Sequence, residues 1–547
     1  MAELNIVFRL RFAVALAAAL TVLLAFQALS AEASAPARYE YIVQLDQGTS
    51  PATGKRLVRT LGGRVTSQTL RVINGFGASL TRKAAARLGR RPGVKSVSRN
   101  HAMAQSATEE TTSGGYRCPT ADATTVAVRR SFSERENDHP VTNAISRLDY
   151  PFLKSIRADR AWYRTTGRGV GVAVIDTGIE GDLPEFQSLS SESSRVIASA
   201  VTNPCASDAS DNYGHGTHVA GLIAADSLVY SSDSRYYGDN MGVAPRANLV
   251  SVKVSDDDGN TTVLDVVNGI QFAVDHKAEL GIRVVNLSLS STVAESYRTD
   301  PLAAAAEQAW FSGLVVVTAA GNEALVNDGV TFAPANDPWA ITVGALDDRG
   351  TFTRLDDVLA PWSSRGLTQD GVRKPEVLAP GARLVSTLAP GSDFQSICPD
   401  CVEDNRYFRA GGTSMSAAIV SGAAALLLEE HPDWSPAKVK GALMSTLVDV
   451  PGAGGVIDVT AALDANVEAT VALPPSEVID PATGLIDWTR ASFRRASFRD
   501  AGGSPLSASW SRASFRCECG FAESGEVDPT RASFRRVSFR RTTDLGG

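Results

Sequence analysis

VGVAVIDTG, residues 170–178, is a run of six apolar or small residues ending on an aspartate and a turn. A run without polar alternation suits a strand buried on both faces, as in a parallel sheet. Similar apolar runs stand at Leu249–Val254, Val284–Leu289, Val315–Ala319 and Ala340–Val343. Between them lie stretches of helical texture, Val219–Ala225, Val263–His276 and Pro301–Phe311. This alternation predicts an α/β domain with a mostly parallel sheet and helices on both faces. Ligands of such sheets bind beyond the carboxyl ends of the strands. The loops after Ile175, Val254, Leu289 and Ala319 are therefore the places to look for chemistry.

Asp176 closes the first run, where a carboxylate can be buried and still ionised if hydrogen bonds hold it. Asp-Thr-Gly alone also fits a plain turn. As an aspartic-protease motif it would need a second copy, and none exists. In HGTHVAGLIAA, His215–Ala225, Gly216 allows close backbone approach and His215 stands at the start of a helical pattern. An imidazole takes and returns a proton near neutrality. His218 reads as a packing residue, because i, i+3 spacing without an intervening Glu is not a zinc motif. In GGTSMSAAIVSGAAALLL, Gly411–Leu428, Ser414 falls where a long apolar helix begins. Free N–H groups at a helix start favour a developing anion, although a serine there is more often a cap. In VVVTAAGNEA, Val315–Ala324, Asn322 follows a buried strand through Gly321, so its amide can donate to an oxyanion.

These four segments, in the order Asp, His, Asn, Ser, resemble the subtilisin family of serine peptidases. So do Gly242-Val-Ala-Pro245, Trp362-Ser-Ser-Arg-Gly366 and Lys374–Gly381. The likeness runs from about Arg147 to Asp464. It implies a catalytic triad of Asp176, His215 and Ser414, with Asn322 in the oxyanion hole. It also implies that Asp258–Thr261, with Gly259 and Asn260, and Ser288, Leu289 and Ser290 are edge strands flanking an extended peptide, near Gly321. The substrates would then be proteins or peptides. Ser290 stands where the family has glycine, Ala418 where it has proline, and Phe332 where many members have a small residue in the S1 pocket. No cofactor is required and no metal site is expected among these residues. Structural calcium is common in the family, and Asp208, Asp211 and Asp256–Asp258 offer carboxylates without a diagnostic spacing.

Outward from this core the chain changes character. Residues 1–33 carry Arg9 and Arg11, an apolar run from Phe12 to about Leu29 and small residues after it. That reads as a secretory signal, with an uncleaved anchor as the alternative. Residues 38–105 are basic, with 13 Lys or Arg against 2 Asp or Glu from Ala37 to Gln105. Their strand and helix patterns run β-α-β-β-α-β: Tyr39–Leu45, Pro51–Leu61, Gly63–Leu70, Gly75–Leu80, Thr81–Leu88 and Val94–Arg99. This is a small α+β ferredoxin-like order, and it is similar to the family's inhibitor propeptide. Residues 106–146 read as a polar linker, 147–466 as the catalytic domain and 467–547 as a tail. The stretch 106–487 has 27 basic and 50 acidic residues, so the propeptide and catalytic domain carry opposite charge. An acidic catalytic domain makes nucleic acid an unexpected partner.

Export favours disulfides among the six cysteines. Cys398-Pro-Asp-Cys401 suits a local bridge better than a redox pair or half a zinc site. The tail repeats RASFR at Arg490–Arg494, Arg495–Arg499, Arg512–Arg516 and Arg531–Arg535, then RVSFR at Arg536–Arg540. Such repeats suit either a removable segment or contact with a cell surface or anionic polymer. An idle relative serving adhesion is the competing function. Retention of all three triad positions and Asn322 favours a secreted, autoprocessed endopeptidase.

Overall fold

The computed structural model describes residues 37–46, 48–100, 102–104, 125–128, 140–148, 150–189, 193–325, 329–476, 518–521 and 527–533. The signal segment, most of the linker and most of the tail repeats lie outside these residues.

The N-terminal unit is a four-stranded antiparallel sheet in the order β2-β3-β1-β4. Its strands are β1 (Arg38–Leu45), β2 (Arg64–Val65), β3 (Gly75–Thr81) and β4 (Val94–Arg99). Helices α1 (Pro51–Thr60) and α2 (Arg82–Leu88) complete it, each begun by a side-chain cap, from Ser50 and Thr81. Val43, Leu45, Val58, Phe76, Leu80 and Leu88 form its core. The β-α-β-β-α-β order matches the expectation, with one change. The strand expected over Gly63–Leu70 lasts only through Val65, and Arg71–Ile73 form a 3₁₀ turn. The reason is packing. Leu70, Val72 and Ile73 leave this small core and join the core of the larger domain. There the Val72 N–H donates to Gln271 Oε1 at 2.6 Å.

The larger domain is built on one sheet. Its parallel strands run, in spatial order, from Gly454–Val456 through Val377–Pro380, β14 (Ile341–Asp347), β13 (Val315–Ala319), β11 (Ile282–Leu287), β7 (Gly171–Asp176) and β9 (Asn248–Lys253) to β8 (Val196–Val201). Antiparallel strands Val448–Val450 and β6 (Thr125–Val128) close the two edges, and β15 (Val358–Leu359) pairs with β14. Every residue of β7, β13 and β14 is buried, so both faces of the sheet are covered. The covering helices are α3 (His215–Ala224), α4 (Val263–His276), α5 (Pro301–Phe311), α6 (Thr413–Glu430) and α7 (Pro436–Ser445). All residues of α6 from Thr413 to Leu428 are buried, as its run of small and apolar residues requires.

Two boundaries move. Strand β6 lies inside the stretch read as a linker, because its backbone extends the sheet beside β8, Val126 opposite Ala200. The chain also goes on packing against the larger domain past residue 466. Ala469 N–H donates to Ala437 O, and Tyr297 Oη donates to the carbonyl of Pro474. Ser476 N–H lies 3.0 and 2.9 Å from the two carboxylate oxygens of the buried Glu307. Among the described residues no helix is long and apolar enough to cross a membrane.

Candidate active site

Asp176 is the last residue of β7, at the middle of the sheet, and its side chain is fully buried. Its Oδ1 accepts from Thr177 N–H at 2.8 Å and lies 2.6 Å from His215 Nδ1. A carboxylate can only accept, so Nδ1 carries the ring proton and Nε2 is the basic nitrogen.

His215 is the first residue of α3, and the backbone around it is tied to the Thr177 and Asp211 side chains. Gly216 must be glycine, because a Cβ would come within 2.1 Å of the Gly178 carbonyl. Gly216 N–H donates to Thr177 Oγ1 at 2.9 Å, and Thr177 Oγ1 donates to Asp211 Oδ1 at 2.7 Å. Asp211 also accepts from Gly214 N–H and Thr217 N–H, both at 2.7 Å. Burial pushes the Asp211 carboxyl upward in pKa, while these bonds oppose that rise. Asp211 thus holds the turn before His215. A lone Asp four residues ahead of the histidine gave no signal of this, and in the sequence it stood only among carboxylates without a diagnostic calcium spacing. The Phe394 ring packs beside His215 and Tyr213, with centroids 6.4 and 5.7 Å away. His218 sits buried with Nε2 2.9 Å from the Phe408 carbonyl, and burial lowers its pKa to about 3. It is a neutral packing residue.

Ser414 occupies the first turn of α6, which packs along α3. Its Oγ donates to the Ser288 carbonyl at 3.2 Å, and Ser288 Oγ donates to the Ser414 carbonyl at 3.0 Å. Asn322 Oδ1 accepts from Thr413 N–H and from Thr413 Oγ1, each at 3.0 Å. Thr413 Oγ1 in turn accepts from Gly321 N–H at 3.1 Å. The amide oxygen is therefore pinned. The Asn322 Nδ2 is buried and has no hydrogen-bond partner among the described residues. A buried donor left unanswered is costly unless a ligand oxygen comes to it.

The strands expected to flank a substrate are shorter and later than the sequence reading placed them. β10 is Thr261–Thr262 and β12 is Ser290–Ser291. Gly259 and Asn260 instead form the turn before β10, in which Asp256 Oδ1 accepts from Asn260 N–H at 2.7 Å. Gly259 has φ +83°, and a Cβ would strike the Tyr213 ring at 2.8 Å. Leu289 is buried in the main core beside Ser288. Between β10 and β12 lies β5 (Ala102–Ala104), antiparallel to both: Met103 faces Thr261 and Ser291, and Ala104 faces Ser290. The N-terminal unit thus feeds its own chain into this slot. Asn100 anchors it, donating from Nδ2 to Thr262 Oγ1 and accepting from Leu264 N–H at the start of α4.

Asp257 is paired with Lys253, and Asp256 is engaged in its own turn. With Asp211 spent on α3 and Asp208 accepting from Ser210 N–H, four of the five carboxylates first considered for calcium serve the protein's own groups. Among the described residues no group of three or more His, Cys, Asp and Glu side chains gathers that could hold a metal ion. Cys398 and Cys401 form a disulfide in the segment ahead of Ser414. Phe332 is half-buried and bridges Ala294.

A mostly parallel α/β sheet with an Asp–His pair at one strand end, and a serine in the first turn of a neighbouring helix, defines the serine-peptidase class. Residues 167–469 match the model of the subtilase family. The chain belongs to that family, and with it to the serine-type endopeptidases. It is 37% identical over 281 residues to serine protease AprX of Bacillus subtilis (strain 168), covering 50% of this chain and 60% of that protein. It is 30% identical over 429 residues to subtilisin E of the same organism, covering 77% of this chain and 89% of that protein. It is also 34% identical over 282 residues to subtilisin of Bacillus pumilus, covering 51% and 84%.

Proposed function

We propose that this chain is an exported zymogen that hydrolyses protein substrates through an acyl-enzyme and processes itself. Asp176 holds His215 in the tautomer with Nε2 basic. His215 takes the proton of Ser414 as Oγ attacks the substrate carbonyl, and later gives it to the leaving amine. The Asn322 Nδ2 and the Ser414 N–H hold the oxyanion, and water then releases the acyl group. Substrate lies extended between β10 and β12, bound mainly through its backbone. No organic cofactor enters this chemistry.

The observation that carries the reading is β5 in that slot, two residues short of the level of Ser288, whose carbonyl Ser414 Oγ touches. Residues 38–105 are then an inhibitor propeptide, and 1–33 a secretory signal. Residues 147–466 are then the catalytic domain, whose packing takes in residues up to Ser476, and 467–547 the tail, with an anionic polymer or cell surface as its partner. Extended by two residues, the register of β5 on β12 would bring Ser106 opposite Ser288. Cleavage is therefore expected after Ser106, within the Met103–Ser106 window set by the end of the propeptide.

The test is expression of the full chain and its Ser414→Ala variant. The parent should yield a mature form beginning at Ala107 or trimmed beyond it. The variant should stay intact and take no fluorophosphonate label. Full processing of the purified variant would overturn the assignment of Ser414.

A further inference from the structure

Ten residues, 348–357, join β14 to β15. These strands pair antiparallel, Leu346 opposite Leu359 and Asp347 opposite Val358. The next pair in that register is Asp348 and Asp357, and both are buried, 4% and 5% exposed. Like charges facing each other across antiparallel strands repel, and burial makes that repulsion worse.

The protein does little to answer them. Asp348 Oδ1 accepts from Gly350 N–H at 3.0 Å. Asp348 Oδ2 and both oxygens of Asp357 are buried without a hydrogen-bond partner among the described residues. Two arginines offset the charge in part without hydrogen bonding to either carboxylate: Arg383, paired with Asp347, acts on Asp348, and Arg354, which donates to the Ser155 carbonyl, acts on Asp357; Arg349 is exposed. Asp356, the remaining carboxylate of the loop, is exposed and accepts from Thr351 Oγ1. Burial raises both carboxyl pKa values to about 6, and for Asp357 the facing Asp348 adds to the rise. Near neutral pH two buried charges then face each other, an arrangement that is costly unless a counter-ion is present.

We propose that Asp348 and Asp357 bind a hard divalent cation, calcium, across the neck of this loop. Calcium takes six to eight oxygens and accepts carboxylates, backbone carbonyls and water in flexible geometry. Two carboxylates are enough when loop carbonyls and water complete the shell, which is why no cluster of three acidic side chains is needed. The ion would lock β15 to β14. The chain after β15 braces the oxyanion loop: Ala324 N–H donates to Trp362 O at 3.2 Å, and Ser364 N–H donates to Gly321 O at 2.9 Å. Ion binding therefore steadies the segment carrying Asn322 from behind.

The experiment uses the full chain with Ser414→Ala as parent, so that autolysis does not intrude. Asp357→Asn and Asp348→Asn are made on it, and asparagine keeps the shape at both positions. Melting is followed with EDTA and with 10 mM calcium chloride, about a hundredfold above a dissociation constant of order 10⁻⁴ M. Calcium should raise the parent's Tm by about 4 °C and leave either variant nearly unmoved. In EDTA each variant should melt at or above the parent, because one of two opposed charges is gone; in calcium the order should reverse. Calorimetric titration with calcium should lose one site in each variant. An equal calcium response in parent and variants, or none in the parent, overturns the proposal. So does a parent that responds only to acidification from pH 7 to 5, since the pair would then share a proton and not a metal.

Discussion

At the residue scale the site is a matter of which donors and acceptors are already spent. Asn322 has its amide oxygen tied to Thr413 and its amide nitrogen kept unanswered in a buried place. Such a nitrogen reaches its best partner only when charge develops on a substrate oxygen. Asn322→Leu should therefore lower kcat by roughly 10²–10³ with KM little changed, a magnitude measured on subtilisin and borrowed from it. Steady-state kinetics on a peptide anilide checks this, and a variant with full kcat and a raised KM would make Asn322 a substrate-lining residue. The four central residues were legible in the sequence because each sits in a motif with fixed neighbours. Asp211 and Thr413 were not. Their roles consist of hydrogen bonds to backbone that is near only after folding, and no spacing along the chain announces that.

At the element scale the strands and helices of the sheet were readable from apolar runs, since burial on both faces leaves little else to write. The short strands β10 and β12 were placed one to three residues early. Each is two residues long and is defined by its partner β5, not by its own pattern. The linker strand β6 was missed for the same reason. Helix α5 shows how an element end can set a pH response. Asp300 caps it, accepting from Leu302 N–H at 2.7 Å and Ala303 N–H at 3.0 Å. Burial, and then the neighbouring Glu295, raise its pKa to about 7. In the unfolded chain an aspartate titrates near about 3.9. Between these values the folded state holds the extra proton, so this contribution to stability is full below about pH 4 and lost as pH rises through about 7. Asp300→Asn keeps a capping oxygen and cannot titrate. Urea midpoints from pH 4.5 to 7.5, on the Ser414→Ala background, should fall less steeply for the variant. Parallel curves would refute Asp300 as a source of the slope.

At the scale of the whole molecule two units of opposite charge are joined by contacts of two kinds. Leu70, Val72 and Ile73 insert into the larger core, while Arg71 pairs with Asp275 at the rim. Apolar insertion sets a salt-insensitive part of the affinity, and charge adds a part that salt screens. The separately prepared segment 38–106 should inhibit mature enzyme in trans and do so less well as salt rises from 50 to 500 mM, concentrations chosen to take the Debye length from roughly 14 Å to 4 Å. Inhibition constants at the two salts test this. No inhibition at either salt would remove the inhibitor role, and equal inhibition would remove only the electrostatic part.

β5 is already seated between β10 and β12. On the proposed reading, the first bond the enzyme meets belongs to its own chain, and maturation behaves as a clock inside each molecule. Its half-time should stay the same when refolding precursor is diluted a hundredfold, as followed by gel densitometry. A half-time that lengthens in proportion to dilution would mean that one molecule cuts another. The clock also has a second stage with a different law. Once the bond is cut, escape of the N-terminal unit depends on dissociation, and rebinding depends on concentration. A crowded compartment would hold the cut enzyme silent, and release into a large volume would switch it on without any further signal.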